Sequence, residues 1–246
     1  MSETKEVGGD FGYRSIMNCS FSVIIPVLHE SSTMNRTIDH IKNIRSGFHV
    51  EIIIIDGDPE GSTIHSITDE TVNKFISQKG RGKQMNTGAS RAKGDILLFL
   101  HADTRLPENA FAFIADVMDQ KEYAGGAFEL GIKSDRRVFR LIEKFVALRT
   151  HLTRIPYGDQ AIFIKKEIFI RVNGFKEIPI MEDVDLMRRM RKKGYKIYII
   201  PENIKTSPRR WEREGILYCT LRNWIIMILY LFGAKPEKLA KYYYED

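Results

Sequence analysis

The stretch "ILLFLHADTRLP", residues 96–107, runs five apolar residues straight into His101, Ala102 and Asp103. Side chains on an extended strand alternate faces, so residues two apart point the same way. The spacing therefore predicts that His101 and Asp103 share one side of the strand's carboxyl end. Open α/β sheets bind ligands at that end. A near-continuous apolar run before it fits a strand buried on both faces of a parallel sheet.

Similar runs precede it: "FSVIIPVL" (21–28), "VEIIIID" (50–56) and "VNKFIS" (72–77). Between them lie segments of helical length. In 33–45, Met34, Ile38, Ile41 and Ile44 recur at helical spacing, and 82–93 ends at Gly94, the expected C-cap. Strand and helix in alternation predict an α/β fold with crossover connections. After Asp103 the pattern loosens into a helix from Pro107 to about Asp119, a strand in "YAGGAFELGI", a helix over 136–151 and a strand with a turn at its start in "YGDQAIFIKK". A helix from about Glu182 to Lys193 and the strand "YKIYII" follow. This reads as a doubly wound first half with a less regular second half built onto it, without an internal repeat.

At 246 residues, 43% hydrophobic and 28% charged, the chain can bury a substantial core. Cys19 and Cys219 fit no disulfide framework or zinc spacing, which makes a reducing cytoplasm the expected compartment. The first 20 residues lack the apolar core of a signal peptide and read as a polar lead without a catalytic role. From Arg188 onward 14 Lys and Arg face 6 Asp and Glu, so the positive surplus sits in the last quarter of the chain. Such a surplus suits an anionic ligand, an acidic membrane surface or nucleic acid, and equally an ordinary solvated face. The apolar run 224–232 is nine residues, far short of the roughly 20 that span a bilayer. It is expected to be a helix buried against the domain, or one lying at a membrane surface beside Lys235, Lys238 and Lys241.

Several clusters carry chemistry-bearing side chains at strand ends or helix starts. In "VIIPVLHE", Pro26 is expected to stop regular pairing, with Glu30 close behind. In "IIIIDGDPEG", Asp56 ends a strand where a carboxylate can accept hydrogen bonds from a base or ribose, although Asp before Gly is also ordinary turn chemistry. In "RGKQMNTGA", Arg81 and Lys83 surround a helix start, a place that favours phosphate and that also occurs as a plain solvated end. Asp103 alone can anchor Mg2+ or Mn2+ when a substrate's phosphates complete the shell. His101 beside it is a ligand, a phosphate contact or a support of the loop. In "PIMEDVDLMRRMRKKG", Asp183, Leu186, Met187 and Met190 fall on one helix face. That puts Asp183 inward, in a first turn whose dipole favours the charged form a general base needs, while Glu182 projects to a neighbouring face. Both acids could instead do no more than favour the dipole.

In this order the clusters resemble the family 2 glycosyltransferases of the GT-A fold, over residues 21–244. "FSVIIPVLHE", the strand ending at Asp56, "GDILLFLHADT" and "IMEDVDL" stand where that family has its first strand, nucleotide-binding aspartate, DXD segment and ED motif. More narrowly, "RGKQMNTGA", "LLFLHADTRLP", "GGAF", "PYGDQAIF", "IPIMEDVDL" and "RRWEREG" are similar to the selenodomain-associated group. The resemblance implies a nucleotide-diphosphate-sugar donor, with UDP-sugar favoured, a divalent cation (Mn2+ or Mg2+) and direct displacement with inversion at a hydroxyl acceptor. It implies that Pro26, Glu30 and Asp56 face the nucleoside, that Lys83, His101 and Ala102 meet the donor, and that Asp103 holds metal. Asp183 is implied as the base, and Asp159, Gln160, Glu182, Arg209, Arg210 and Trp211 as acceptor or diphosphate contacts. "RRW" resembles the end of the QxxRW element of processive relatives, but Ser207 stands at the Gln position, so no processivity follows. His101 also departs from the family, which has an acid there, and "GDPEGST" replaces its usual Gly-Ser turn.

The expected organisation is a lead over 1–20, a GT-A catalytic unit over 21–208, and a helical segment over 209–246 packed on the unit or at the inner face of a membrane. The expected partners are the donor and an acceptor, lipid-linked acceptors included, and not nucleic acid. Two rival functions remain at this point. A sugar-phosphate nucleotidylyltransferase would want a Gly-rich basic loop after the first strand, where "PVLHESST" supplies an acid. A non-catalytic nucleotide-sugar-binding or membrane-surface protein would be consistent with His101.

Overall fold

The computed structural model describes residues 19–244, so most of the polar lead lies outside the described residues. One seven-stranded sheet organises the chain, in the order β3-β2-β1-β4-β6-β5-β7. Its strands are β1 (Ser20–Val27), β2 (His49–Asp56), β3 (Asn73–Ile76), β4 (Ile96–Phe99), β5 (Tyr123–Ile132), β6 (Phe163–Lys165) and β7 (Lys196–Thr206). The first four strands are parallel; β6 is antiparallel to both β4 and β5, and β7 pairs parallel with β5. The helices are α1 (Met34–Ile44), α2 (Arg81–Arg91), α3 (Ala110–Asp119), α4 (Arg137–Thr153), α5 (Lys166–Arg171), α6 (Glu182–Lys192), α7 (Arg209–Glu214), α8 (Ile216–Leu231) and α9 (Pro236–Tyr244).

The apolar runs are buried on both faces because each face meets its own helices. Phe21, Val23 and Ile25 of β1 and Ile96 and Leu98 of β4 join a core with α1, α3 and α4. Ile24, Leu97 and Phe99 point the other way, into a core with α2, α5 and α6. The α1 stripe Met34, Ile38, Ile41 and Ile44 is buried as its spacing predicts, and each such side chain stabilises the fold by about 1.5–3 kcal/mol.

Two local expectations need correction. Gly94 is no C-cap, since α2 ends at Arg91 and Ala92 is already extended. A Cβ at Gly94 would lie 2.6 Å from the Phe21 carbonyl carbon, so glycine is there to let the chain cross β1 closely. Nor does Pro26 stop pairing with β2, where it sits opposite Ile55. Pairing with β4 ends at Ile24, so the missing N–H of Pro26 costs nothing on the side where the two strands part.

Candidate functional site

The strand order reverses between β1 and β4, and a cavity of about 900 Å³ opens at their carboxyl ends. That is the switch-point position at which α/β sheets bind ligands, and the volume suits a nucleotide-sized molecule. One wall carries Pro26 and Glu30; the next carries His101, Ala102 and Asp103; a third carries Asp159, Glu182 and Asp183. Arg210, Trp211, Asn223, Tyr243 and Tyr244 close it from the carboxyl-terminal helices. A shallower cleft of about 510 Å³ lies at the opposite strand ends, around Ser20, His49 and Lys93.

His101 and Asp103 share the cavity, but not through strand alternation. β4 stops at Phe99, and the Thr104 N–H closes a turn onto the His101 carbonyl at 3.1 Å. The Thr37 hydroxyl of α1 holds this turn by donating to the Ala102 carbonyl at 3.1 Å. Burial, with the Arg81 charge adding to it, holds His101 well below the usual imidazole range, so the ring is neutral. Its Nε2 is buried without a hydrogen-bond partner among the described residues. Asp103 is pushed up by burial, a shift opposed by Arg209 and reinforced by Glu30. Arg209 Nη2 lies 3.4 Å from Glu30 Oε2 and 3.6 Å from Asp103 Oδ2, bridging the two acids.

Asp183 is fixed by Gly158, whose N–H donates to Asp183 Oδ2 at 2.6 Å. A Cβ on Gly158 would sit 3.0 Å from His101 Nε2 and 3.3 Å from Asp183 Oδ2, so the absent side chain is what lets both groups converge. Gly158→Ala is accordingly expected to lower turnover by roughly tenfold to 100-fold through displacement of both groups, with the melting temperature nearly unchanged. Steady-state kinetics alongside a thermal melt check this, and wild-type turnover would contradict it.

Glu182 differs from its expected neighbouring-face position. Its side chain is 5% exposed and reaches Arg81 Nη1 at 3.8 Å. Met181, before α6, is left-handed at φ 66°, and the first turn it opens presents both acids to the cavity. Burial, then the Asp183 charge, push Glu182 up to about 7, with Arg81 opposing. The folded state therefore holds a proton that the unfolded chain releases near 4.5, so stability falls as pH rises through the window between those values. Glu182→Gln should remove a fall on the order of 3 kcal/mol. Denaturant unfolding at pH 4.5 and pH 8 reads this directly; parallel losses in variant and wild type would refute it.

Beside Asp183 lies a second polar group. The Arg149 guanidinium stacks on the Tyr157 ring at 3.5 Å. The Tyr157 hydroxyl and Asp159 Oδ1 are buried and unpartnered among the described residues. Burial, and Asp183 against the opposing Arg149, push Asp159 up to about 6.

Some residues singled out in the sequence do not reach the cavity lining. Asp56 is fully buried, and its oxygens accept the N–H groups of Asp58, Thr63 and Ile64 at 3.0, 2.9 and 3.2 Å. It organises its own loop, and the turn alternative is the one its geometry matches. Lys83 turns away to Gln78 at 2.8 Å. Gln160 is fully buried and holds the Tyr157 turn, accepting from the Tyr157 N–H at 3.1 Å and donating to the Phe128 carbonyl at 2.9 Å. Arg210 lines the cavity, but its guanidinium is engaged by Glu214 at 3.1 Å and by the Tyr243 ring at 3.8 Å. The lining also contains Lys79, Tyr157 and Tyr243, which were not among the sequence-derived site residues, as well as Arg81. For Arg81 a signal existed in the same "RGK" stretch.

Among the described residues no cluster of three or more His, Cys, Asp or Glu could hold a metal ion by itself. A partly exposed carboxylate on the cavity wall, at Asp103, nonetheless fits a cation whose remaining ligands are substrate phosphates and water.

A mixed, mostly parallel seven-stranded sheet flanked by helices is the GT-A architecture of glycosyltransferases. The sequence model described as glycosyl transferase family 2 matches residues 22–178, more than half of the chain, and the protein belongs to that family of enzymes. Among solved structures, TarS of S. aureus is similar with a TM-score of 0.57 and 17% identity, over 85% of this chain and 40% of the TarS chain. The chain thus spans less than half of TarS. Glucosyl-3-phosphoglycerate synthase from Mycobacterium tuberculosis, in complex with Mn2+, uridine diphosphate and phosphoglyceric acid, gives the same TM-score and identity over 81% of this chain and 75% of its own. Likeness at that identity shows the fold alone. The comparison with curated proteins returns no match.

Proposed function

We propose that the protein is an inverting glycosyltransferase that moves a sugar from a nucleoside-diphosphate donor, UDP-sugar favoured, to an acceptor hydroxyl. The observation that carries this reading is the pair Asp103 and Asp183 on different walls of one switch-point cavity, with Lys79 and Arg81 also on its lining. The solved neighbour with Mn2+ and uridine diphosphate supports the choice of donor.

In this reading Pro26 and Glu30 face the nucleoside, while Lys79 and Arg81 take diphosphate charge. Asp103 would hold the divalent cation, which supplies charge neutralisation for the leaving diphosphate when bound. Neutral His101 offers its unpartnered Nε2 to an oxygen of the donor. The acceptor enters against Asp159, Trp211 and Tyr157. Its oxygen forms a bond to the anomeric carbon on the face opposite the diphosphate. The bond from that carbon to the diphosphate oxygen breaks, and the electron pair leaves with the nucleoside diphosphate. The hydroxyl proton passes to the Asp183 carboxylate, which Gly158 keeps aimed. The narrower resemblance in "RGKQMNTGA" and "IPIMEDVDL" supports a place near the selenodomain-associated group. The two unpaired cysteines support a reducing cytoplasmic setting.

The test is a panel of UDP-, GDP- and dTDP-sugars with Mn2+, read for binding and for slow donor hydrolysis. At least one donor should bind in a Mn2+-dependent way and be hydrolysed. A panel that neither binds nor turns over would overturn the reading and favour a protein without this chemistry.

A further inference from the structure

The site leaves one large feature of the molecule unused. α8 buries only Cys219, Arg222 and Ile226. Its other side presents Leu217 at 75%, Leu221 at 57%, Ile225 at 55% and Phe232, just past its end, at 88% exposure. Burial against the domain therefore covers one side of this helix and leaves the other open. On α4, Leu141, Phe145, Leu148 and Leu152 form a stripe at spacings of four, three and four, all exposed. The rings of Phe145 and Trp224 meet edge-on at 6.0 Å, joining the two helices into one apolar surface. Exposed apolar surface of that extent marks an interaction site.

We propose that this joint face of α4 and α8 docks the enzyme on an anionic lipid bilayer. Charge selects the occupant. α8 carries a single charged residue, Arg222, and that one is buried and paired with Glu214. Arg137 and Lys144 are exposed and sit one turn from Leu141 and Leu148, where their stems can lie along the apolar stripe and their heads reach headgroups. Lys235, Lys238 and Lys241 are exposed just beyond the carboxyl end of α8, with Glu237 the exposed acid of α9 among the described residues. Apolar side chains rimmed by cations match the interfacial boundary of an anionic leaflet. No helix of the described residues is long and apolar enough to cross a membrane, so the contact is a docking one. Because Cys219 and Asn223 of α8 line the catalytic cavity, docking would hold that cavity beside the lipid surface. The inference goes beyond the sugar-transfer reading and does not depend on it.

Flotation with vesicles of phosphatidylcholine, alone and mixed with phosphatidylglycerol, tests this on the full chain. The protein should float with the mixed vesicles and much less with phosphatidylcholine alone. The double substitution Leu148→Glu with Leu221→Glu alters two side chains already more than half exposed. It should weaken flotation by roughly tenfold or more, with the circular dichroism spectrum and thermal melt unchanged. Absence of flotation with either vesicle would overturn the proposal. So would light scattering that shows a dimer which the double substitution dissociates, since the face would then belong to a second copy of the chain.

Discussion

Asp183→Asn is expected to lower sugar transfer by roughly 10³-fold while leaving donor affinity within about twofold. Asparagine keeps an oxygen that can accept the Gly158 N–H, which now donates to Asp183 Oδ2 at 2.6 Å, so the cavity wall keeps its shape. What is lost is the capacity to take a proton. The loss therefore falls on turnover and not on the donor's apparent KM. The neighbouring acid provides the control: buried Glu182, held by Arg81, is the other carboxylate in this first turn. If Asp183→Asn keeps wild-type turnover and Glu182→Gln abolishes it, the base has been assigned to the wrong residue. Steady-state kinetics on both variants, with donor binding by calorimetry, separate the cases.

Asp103→Ala is expected to act on binding instead. With Mn2+ present, affinity for the nucleoside diphosphate should fall about 100-fold, since even supporting contacts at metal sites cost up to that much. With metal chelated, the sign should reverse or vanish. The wild-type carboxylate then faces the diphosphate with Arg209, 3.6 Å away, as its nearest counter-charge. Removing it relieves repulsion and frees Arg209 for the phosphates. An unaltered response to Mn2+ would reject Asp103 as the ligand. Calorimetric titration with and without chelator gives both arms of the comparison.

The parts of the fold that depend on local pattern were legible in the sequence. β1, β2 and β4 are apolar runs because both sheet faces are covered, and the α1 stripe is buried at the spacing that announces it. Their carboxyl ends gave the cavity's position, together with Pro26, Glu30, His101, Asp103 and Asp183. Three features were not legible, each for a separate reason. Asp56 accepts three N–H groups because residues 58 to 64 fold back onto its oxygens, a non-local event. Lys83 leaves the cavity lining while Arg81 stays on it, because α2 begins at Arg81 and each residue turns a helix by about 100°, enough to move a side chain off a wall. Tyr157 and Arg149 meet only through tertiary packing of α4 against an irregular turn. The stripe on α4 illustrates the limit of periodicity, which finds an apolar face without saying whether anything covers it.

The most direct test of a donor site at the switch point is a crystal structure with uridine diphosphate and Mn2+ bound, read by anomalous scattering from the metal. Mn2+ should lie against the Asp103 carboxylate and the diphosphate, in the cavity at the carboxyl ends of β1 and β4, with Asp183 on a facing wall. Nucleotide seated in the cleft around Ser20, His49 and Lys93, or metal bound away from Asp103, would contradict it.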